Sequence, residues 1–380
     1  MIIIEILLVV IAVFLAVLTI ITICNLFYLR NLKSYQTTDK MPFVSILVPA
    51  RNEEDSIGNC IKSLLAQDYE NFEVIVMDDD STDSTLQVLL SLASGNSRLK
   101  IEQGTPLPSG WLGKHWACQQ LSQKATGELL LFTDADTIHR PQMLRQAVSA
   151  MNEEKADLIS ALPEQIMISF AEKLVMPFSY WSIMAFLPLG IAYRSRKSIL
   201  SSATGQFMLF RRPAYDQIGG FAAIKHHVVD DVELCKRVRM QGLRWRLLDG
   251  KNAYQVRQYK SFRELYEGHT KNLFAGFANN VTVFSLVWLW LVIVFWLPLA
   301  GLACSLLLPA GPLILWLSSG CAILSLLIWF LTYIKFGFPL YLIILYPVII
   351  TLMAYMAAGS MFLNLSRKAT WKGRYMPGDV

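Results

Sequence analysis

The sequence has no G-x-G-x-x-G turn and no G-x-x-x-x-G-K-[ST] loop where a strand would feed a helix. A glycine cradle for nucleotide phosphates is therefore excluded. Its six cysteines, Cys24, Cys60, Cys118, Cys235, Cys304 and Cys321, are scattered without metal-ligand spacing. That excludes a cysteine-rich zinc site and predicts unpaired, mostly buried thiols in a reducing compartment. No lysine or arginine precedes the first apolar run, and a small-residue cleavage site is lacking, so the run reads as a retained anchor rather than a signal peptide. Repeats, low-complexity tracts and RNA- or DNA-binding motifs are also missing. With a net charge of only +5, no nucleic-acid partner is expected, and basic residues beside apolar helices point to lipid head groups.

What the sequence has in excess is hydrocarbon, 54% of its 380 residues, concentrated at the two ends. Ile2 to Leu29 carries one charge, Glu5, and is long enough for a bilayer core of ~30 Å. Three further apolar stretches run from Val281 to Leu308, Leu313 to Tyr333 and Pro339 to Asn364. The expected organisation is an anchor over 1–30, a globular domain over 41–280, membrane segments over 281–365 and a basic tail over 366–380. Arg30, Lys33 and Lys40 follow the first segment, which predicts a multi-pass protein of the cell membrane with its middle domain in the cytoplasm. Arg367, Lys368, Lys372 and Arg374 favour the cytoplasm for the tail too, whereas four full spans from an outside amino terminus would leave it outside. An interfacial or re-entrant stretch at the one broken by Pro347 would reconcile the two. The amphipathic run from Phe170 to Arg194 reads either as lying on the membrane surface or as a buried core helix.

The middle domain alternates strand and helix patterns. "FVSILVPA", "FEVIVMDD" and "LLLFTDAD" are short apolar runs, each leading into a polar cluster and then a helix-period stretch. This predicts an α/β fold with a mostly parallel sheet, whose ligands bind beyond the carboxyl ends of the strands. Arg51-Asn52-Glu53, Asp78-Asp79-Asp80 and Asp134/Asp136 should converge there. Residues i and i+2 of an extended chain point to one side, so Asp134 and Asp136 repel unless a positive charge sits beside them. A divalent cation bridging Asp136 to a diphosphate, Mg2+ or Mn2+, would satisfy both the carboxylate and the missing glycine cradle.

At this point the chain resembles the family 2 glycosyltransferases of the GT-A fold, over about residues 43 to 275 and in five ordered motifs. "VPARNEE" resembles their first-strand loop and "TDAD" their D-x-D. "VMDDDSTDST" resembles V-D-D-G-S-T-D, with Asp80 where glycine is common; aspartate tolerates turn conformations. "GQFMLFRRPAYDQIGGF" resembles the acceptor-side segment, beginning at Gly205 and Gln206, and "VVDDVELCKRV" the E-D-x-x-L-x-x-R element containing Asp230 and the base. "GWLGKHWA" and the flanking apolar segments narrow the likeness to the membrane-bound branch that glycosylates lipids, which includes ceramide glucosyltransferases and bacterial carotenoid- or hopanoid-associated enzymes.

The resemblance implies a Rossmann-like GT-A domain flanked by one amino-terminal and about three carboxy-terminal membrane helices. Pro49, Ala50, Arg51 and Glu53 would line the nucleoside pocket, and Asp79 would accept a hydrogen bond from the nucleobase. Asp134 would sit near the donor ribose or sugar, Asp136 would bind the metal, and Asp231 would be the general base. Glu53 also reads as the start of a helix favoured by its dipole. Lys114, at the start of a helix after the turn-rich "PLPSGWLG", is placed to meet an anion such as the donor diphosphate. Asp230-Asp231 stand immediately before another helix, starting near Val232, whose dipole should help keep a carboxylate ionised; the pair also reads as a cap of that helix. His226 and His227 either orient the acceptor or are ordinary loop histidines.

The implied reaction is inverting transfer of a sugar from a nucleotide-sugar, a UDP-hexose, to a hydroxyl of a lipid acceptor. Asp231 would remove the proton and the metal would offset charge on the departing diphosphate. Two alternatives stand beside it. "QGLRW", residues 241–245, matches the Q-x-x-R-W string of processive polysaccharide synthases, but at the end of a helix only ten residues after Asp231. The position matching that family's site is "EGHTKN", residues 267–272, which lacks the Arg-Trp pair. A membrane transporter or flippase is disfavoured because the apolar segments carry almost no ionisable residues.

Overall fold

The computed structural model describes residues 2–35, 40–277, 279–307 and 311–366, and the strands Thr370–Trp371 and Arg374–Tyr375. The rest of the basic tail expected over 366–380 lies outside the described residues. The chain divides into two units. Leu29–Ile166 and Ile191–Gln258 form an α/β unit, while Met1–Tyr28, Met167–Gly190 and Tyr259–Gly378 form a helical one. Of the stretch expected as one domain over 41–280, residues 167–190 and 259–280 thus cluster with the apolar helices.

The α/β unit contains β1 (Val44–Ala50), β2 (Phe72–Asp78), β3 (Leu99–Gln103), β4 (Leu129–Thr133), β5 (Thr137–His139), β6 (Leu158–Leu162), β7 (Glu164–Gln165), β8 (Phe207–Arg211), β9 (Trp245–Asp249) and β10 (Tyr254–Val256). Seven of them make one sheet in the order β3-β2-β1-β4-β8-β6-β9, and β5-β10-β7 make a smaller one. β1 pairs parallel with β2 and β4, β2 with β3, and β6 with β9. β8 runs antiparallel to both β4 and β6. The mostly parallel α/β sheet expected from the alternating pattern is the one observed.

Every residue of β2 and β4 is buried, as expected for strands covered on both faces, and this is why both read as largely apolar runs. Helices Ile57–Leu65, Thr85–Ala93, Gly113–Lys124 and Met143–Glu153 supply the cover. Helix Ile57–Leu65 turns Ile57, Cys60, Ile61 and Leu64 inward, the spacing of one helical face. Asp83 Oδ1 accepts from the backbone N–H of Thr85 and so serves the start of the second helix. One carboxylate is built into the sheet itself. Glu73 of β2 accepts from Ser45 Oγ at 2.6 Å, from Thr126 N and Oγ1, and from Lys100 Nζ at 2.7 Å.

The chain runs from β1 outward to β2 and β3, then returns to β4 on the other side of β1. That reversal opens a crevice at the carboxyl ends of β1 and β4. Ala50 is level with Asp78 and Leu47 with Phe132, so the polar clusters following the three strands emerge together.

In the helical unit, Ile2–Tyr28, Val281–Leu307 and Pro312–Phe336 have 27, 27 and 25 residues. The fourth apolar helix, Tyr346–Leu365, follows the 3-10 turn Leu340–Leu345. Each of the four apolar segments is long enough to cross a membrane. Pro347 sits in the opening turn of the last helix, where its missing N–H costs nothing, and the apolar stretch changes there from 3-10 to α-helix. Phe170–Arg194 resolves into the short helices Phe170–Val175, Pro177–Phe186 and Leu189–Ala192. Asn25, a buried amide in the first apolar helix, donates to the carbonyls of Met184 and Leu187 and accepts from the N–H of Leu189. Those are backbone groups at a helix end that would otherwise lack partners.

Candidate active site

The loops after β1 and β2 are joined by hydrogen bonds. Arg51 Nη1 donates to the carbonyls of Asp79 and Asp80, and Asn52 Oδ1 accepts from Thr82 N at 2.8 Å. Glu53 N donates to Thr85 Oγ1, and Ser56 Oγ donates to the Glu53 carboxylate. Glu53 lies before the helix, which begins at Ile57, so it is a loop carboxylate and not a first-turn residue. Pro49 and Ala50 end β1, and Asp79 N donates to the Ala50 carbonyl. Asp78 and Asp79 are both buried. Asp80 has φ of 57°, the left-handed conformation that glycine adopts without strain.

Asp134 and Asp136 occupy the turn between β4 and β5. The backbone of that turn is held by a buried polar chain. Thr137 Oγ1 donates to the Asp134 carbonyl at 2.7 Å and lies 2.8 Å from His139 Nε2. Thr133 Oγ1 lies 3.2 Å from the same nitrogen and donates to the Gln206 carbonyl at 2.9 Å. The turn is thereby tied to the segment carrying Gly205. Burial lowers the His139 imidazole to about 3, so it is neutral. Thr133, Thr137 and His139 were not singled out from the sequence, because short hydroxyls and one histidine in an apolar strand have no distinctive spacing.

Lys114, in the first turn of helix Gly113–Lys124, places Nζ 2.8 Å from Asp134 Oδ1 and 3.7 Å from Asp230 Oδ2. Burial opposes its charge, but Asp134 and then Asp230 outweigh it and raise the ammonium well above the lysine range. Buried His115 places Nε2 3.9 Å from Asp230 Oδ2, a neighbour that its place in "GWLGKHWA" did not single out. A side-chain carbon at Gly205 would stand 3.3 Å from Lys114 Nζ, so the lysine tip would have to shift slightly for any larger residue. Gln206 is buried and contributes its carbonyl.

Asp231 accepts from the backbone N–H of Gly205 at 2.9 Å and from that of Val232 at 2.7 Å. The helix runs Asp230–Met240, so Asp230 and Asp231 form its first turn and do not precede it. The helix dipole does not dominate the proton affinity of Asp231. Burial first, and then the adjacent Asp230, push Asp231 up to about 7, against the two N–H donors and Lys114. Desolvation of a carboxylate exceeds a helix-terminus effect.

Asp136 has the strongest claim to a cation. Its Oδ1 is buried without a hydrogen-bond partner, and burial, then Asp134 and Glu53, raise its carboxyl to about 7. A buried carboxylate oxygen without a donor calls for a proton or a metal. Among the described residues, no group of three or more His, Cys, Asp or Glu side chains could hold a metal ion. The donor set thus fits a cation that takes one carboxylate from the protein and the rest of its ligands from phosphate and water.

His226 is exposed, beside Gly110. The "QGLRW" string falls at the end of helix Asp230–Met240 and the start of β9, where Trp245 is fully buried and packs against Tyr193. It is a core residue.

The sequence profile described as "Glycosyl transferase family 2" matches residues 45–219. A beta-monoglucosyldiacylglycerol synthase of Nostoc sp. is 32% identical over 209 residues, covering 53% of this chain and 42% of that protein. A 4,4'-diaponeurosporenoate glycosyltransferase of Staphylococcus haemolyticus is 25% identical over 271 residues, 70% of each chain. The chain thus spans less than half the length of the first of these relatives. A solved mannosyltransferase from Pyrobaculum calidifontis, in complex with GDP-Man and Mn2+, superposes with a TM-score of 0.53 at 17% identity, over 95% of this chain and 99% of that one. That likeness is one of fold. Strand order and profile match agree on a GT-A-like sheet that carries, over residues 45–219, a domain similar to glycosyl transferase family 2.

Proposed function

We propose that the chain transfers a hexose from a UDP-sugar to a hydroxyl of a membrane lipid, with inversion at the anomeric carbon. The observation that carries this reading is Asp231. It is a carboxylate fixed by two backbone N–H groups, close to the Lys114–Asp134–Asp230 cluster, with its proton affinity raised to about 7. That is where a general base for a hydroxyl is most effective near neutral pH. A carboxylic acid acceptor is already ionised and needs no base. The relatives divide on this point, since one is named for a diacylglycerol and the other for a carboxylate.

In this reading the loops carrying Arg51, Glu53 and Asp79 hold the nucleoside at the ends of β1 and β2, beside Pro49 and Ala50. Lys114 orients the diphosphate and Asp134 the sugar. Asp230 holds Lys114 and His115 beside the base, and Gly205 and Gln206 shape the acceptor side. Asp136 would hold Mg2+ or Mn2+, which when bound supplies Lewis-acid stabilisation of the leaving diphosphate. With one base and no second carboxylate assigned as nucleophile, a single displacement inverts the centre. The four apolar segments support a location in the cell membrane, and the basic residues after the first support a cytoplasmic face for the catalytic unit.

The test is transfer of radiolabel from a panel of UDP-sugars to a lipid extract, using membranes containing the chain, with and without EDTA. The labelled lipid is then treated with mild alkali. A glycoside survives and a sugar ester is cleaved. Loss of label would assign the acceptor to a carboxylate, and absence of any transfer from UDP-sugars would overturn the donor.

A further inference from the structure

The segment following Gly190 is basic and apolar at once. Arg194, Arg196 and Lys197 are exposed, and Ile199 between them and the sheet is 82% exposed. Helix Asp230–Met240 packs against this segment. Cys235 Sγ donates to the Ser202 carbonyl, and Arg239, one turn further along the same helix face, lies close enough to Arg196 for the two charges to interact. The helix then ends on Met240, which is 71% exposed.

Arg239 is the unusual member. Its side chain is buried, with the residue only 5% exposed, yet among the described residues Nε has no hydrogen-bond partner and Nη1 makes a 3.5 Å approach to the Leu243 carbonyl. A buried guanidinium is ordinarily paired with a carboxylate. The acid beside its neighbour Arg246, Glu154, is already bonded to Arg30, Tyr35 and Arg246. Among the described residues none of Arg194, Arg196, Lys197 and Arg239 forms an ion pair. Burial, then Arg246 and Arg196, hold the Arg239 guanidinium below the usual arginine range, as expected for cations gathered without an anion.

We propose that Arg196, Lys197 and Arg239 form a binding site for the phosphate of an anionic phospholipid head group, with Ile199 and Met240 entering the acyl boundary beside it. A planar guanidinium suits a phosphate fork, and a lysine adds a point charge. Exposed aliphatic side chains beside such cations match an interfacial lipid contact and not a soluble anion. The site uses none of the residues assigned to donor, metal or base, and its occupancy does not depend on which sugar is transferred.

The experiment uses the full chain with the exposed Cys24 and Cys304 replaced by serine and Ile199→Cys carrying an environment-sensitive fluorophore. It is placed in nanodiscs of phosphatidylcholine, with or without phosphatidylglycerol, whose acyl chains bear bromine as quencher. Quenching should increase with phosphatidylglycerol and weaken with salt. In Arg196→Gln/Lys197→Gln, where both residues are exposed and folding is not at issue, the preference for phosphatidylglycerol should fall at least about fivefold. Arg239→Lys should lower it as well. Equal quenching in both discs, or a preference that survives the double substitution, would overturn the proposal. A response to inorganic phosphate in phosphatidylcholine discs, with none to phosphatidylglycerol, would show a soluble-anion site and overturn the lipid assignment.

Discussion

Lys114 Nζ lies 2.8 Å from Asp134 Oδ1, joining the start of a helix to the carboxylate that ends β4. Without that ammonium, Asp134, Asp136 and Asp230 would present only negative charge to a donor diphosphate. Lys114→Met should lower kcat/KM for the donor about 10- to 100-fold, the worth of a charge-assisted hydrogen bond. Lys114→Arg should recover part of the loss. Donor saturation curves for the two variants check this, and an unchanged KM and kcat in Lys114→Met would remove the residue from the donor site.

Asp136→Asn should abolish turnover while leaving the fold intact, because the amide keeps the shape of a carboxyl whose Oδ1 makes no hydrogen bond. Circular dichroism and Tm should match or exceed those of the parent chain. EDTA should silence the parent chain, and added Mg2+ or Mn2+ should restore it. Full activity in EDTA would end the metal assignment.

Asp231 must be ionised to take a proton, and its carboxyl is raised to about 7. Activity should therefore fall about tenfold per pH unit below 7, on a limb that an ordinary aspartate would not show until near pH 4. Asp231→Asn should lose about 10²- to 10⁴-fold in kcat. A pH–rate profile flat from 5 to 8, on this scale of expectation, would show that Asp231 is not the base.

Glu73 bears on stability and not on chemistry. Burial raises its carboxyl, but bonds from Lys100, Ser45 and Thr126 prevail and lower it to about 2. A depressed carboxylate stabilises the fold above its unfolded value and loses that contribution as pH falls through the folded one. The window runs from about 4.3 down to about 2. Glu73→Gln should cost about 2 kcal/mol at neutral pH, after allowing for the half-exposed Lys100, and should flatten the acid side of the Tm profile.

Asp80→Gly tests the loop after β2. Glycine removes the strain of φ 57° and loses only the 3.7 Å approach of Arg51 to an exposed carboxylate. The substitution should be neutral or stabilising by up to about 1 kcal/mol, whereas Asp80→Val should destabilise by about 1–2 kcal/mol. Urea denaturation of the two variants separates these outcomes.

The apolar segments, the parallel strands and the clusters at their ends were all readable from the chain. Burial on both faces makes β2 and β4 largely hydrocarbon, and a strand end at a crevice is where polar residues resume. Local signals did worse at boundaries. Glu53 has the composition of a first-turn acid but lies in a loop, because its N–H is taken by Thr85 from the neighbouring loop. His115, Thr133, Thr137 and His139 escaped notice because each bonds or approaches a group far away or around a turn, and no spacing records that.

By itself, the sequence determined which residue types stand where β1, β2 and β4 end, and that four segments are apolar enough to span a bilayer. Those properties depend on periodicity and composition, which neighbours in the chain carry. Only the tertiary structure decided the charge states of the site. Asp231 stands immediately before a helix in the sequence reading, but burial and Asp230 set its proton affinity. Lys114 and Asp230, 116 positions apart by their numbers, meet because the sheet reverses direction beside β1. Electrostatic energy depends on distance through space and on exclusion of water, and neither is a property of position along the chain.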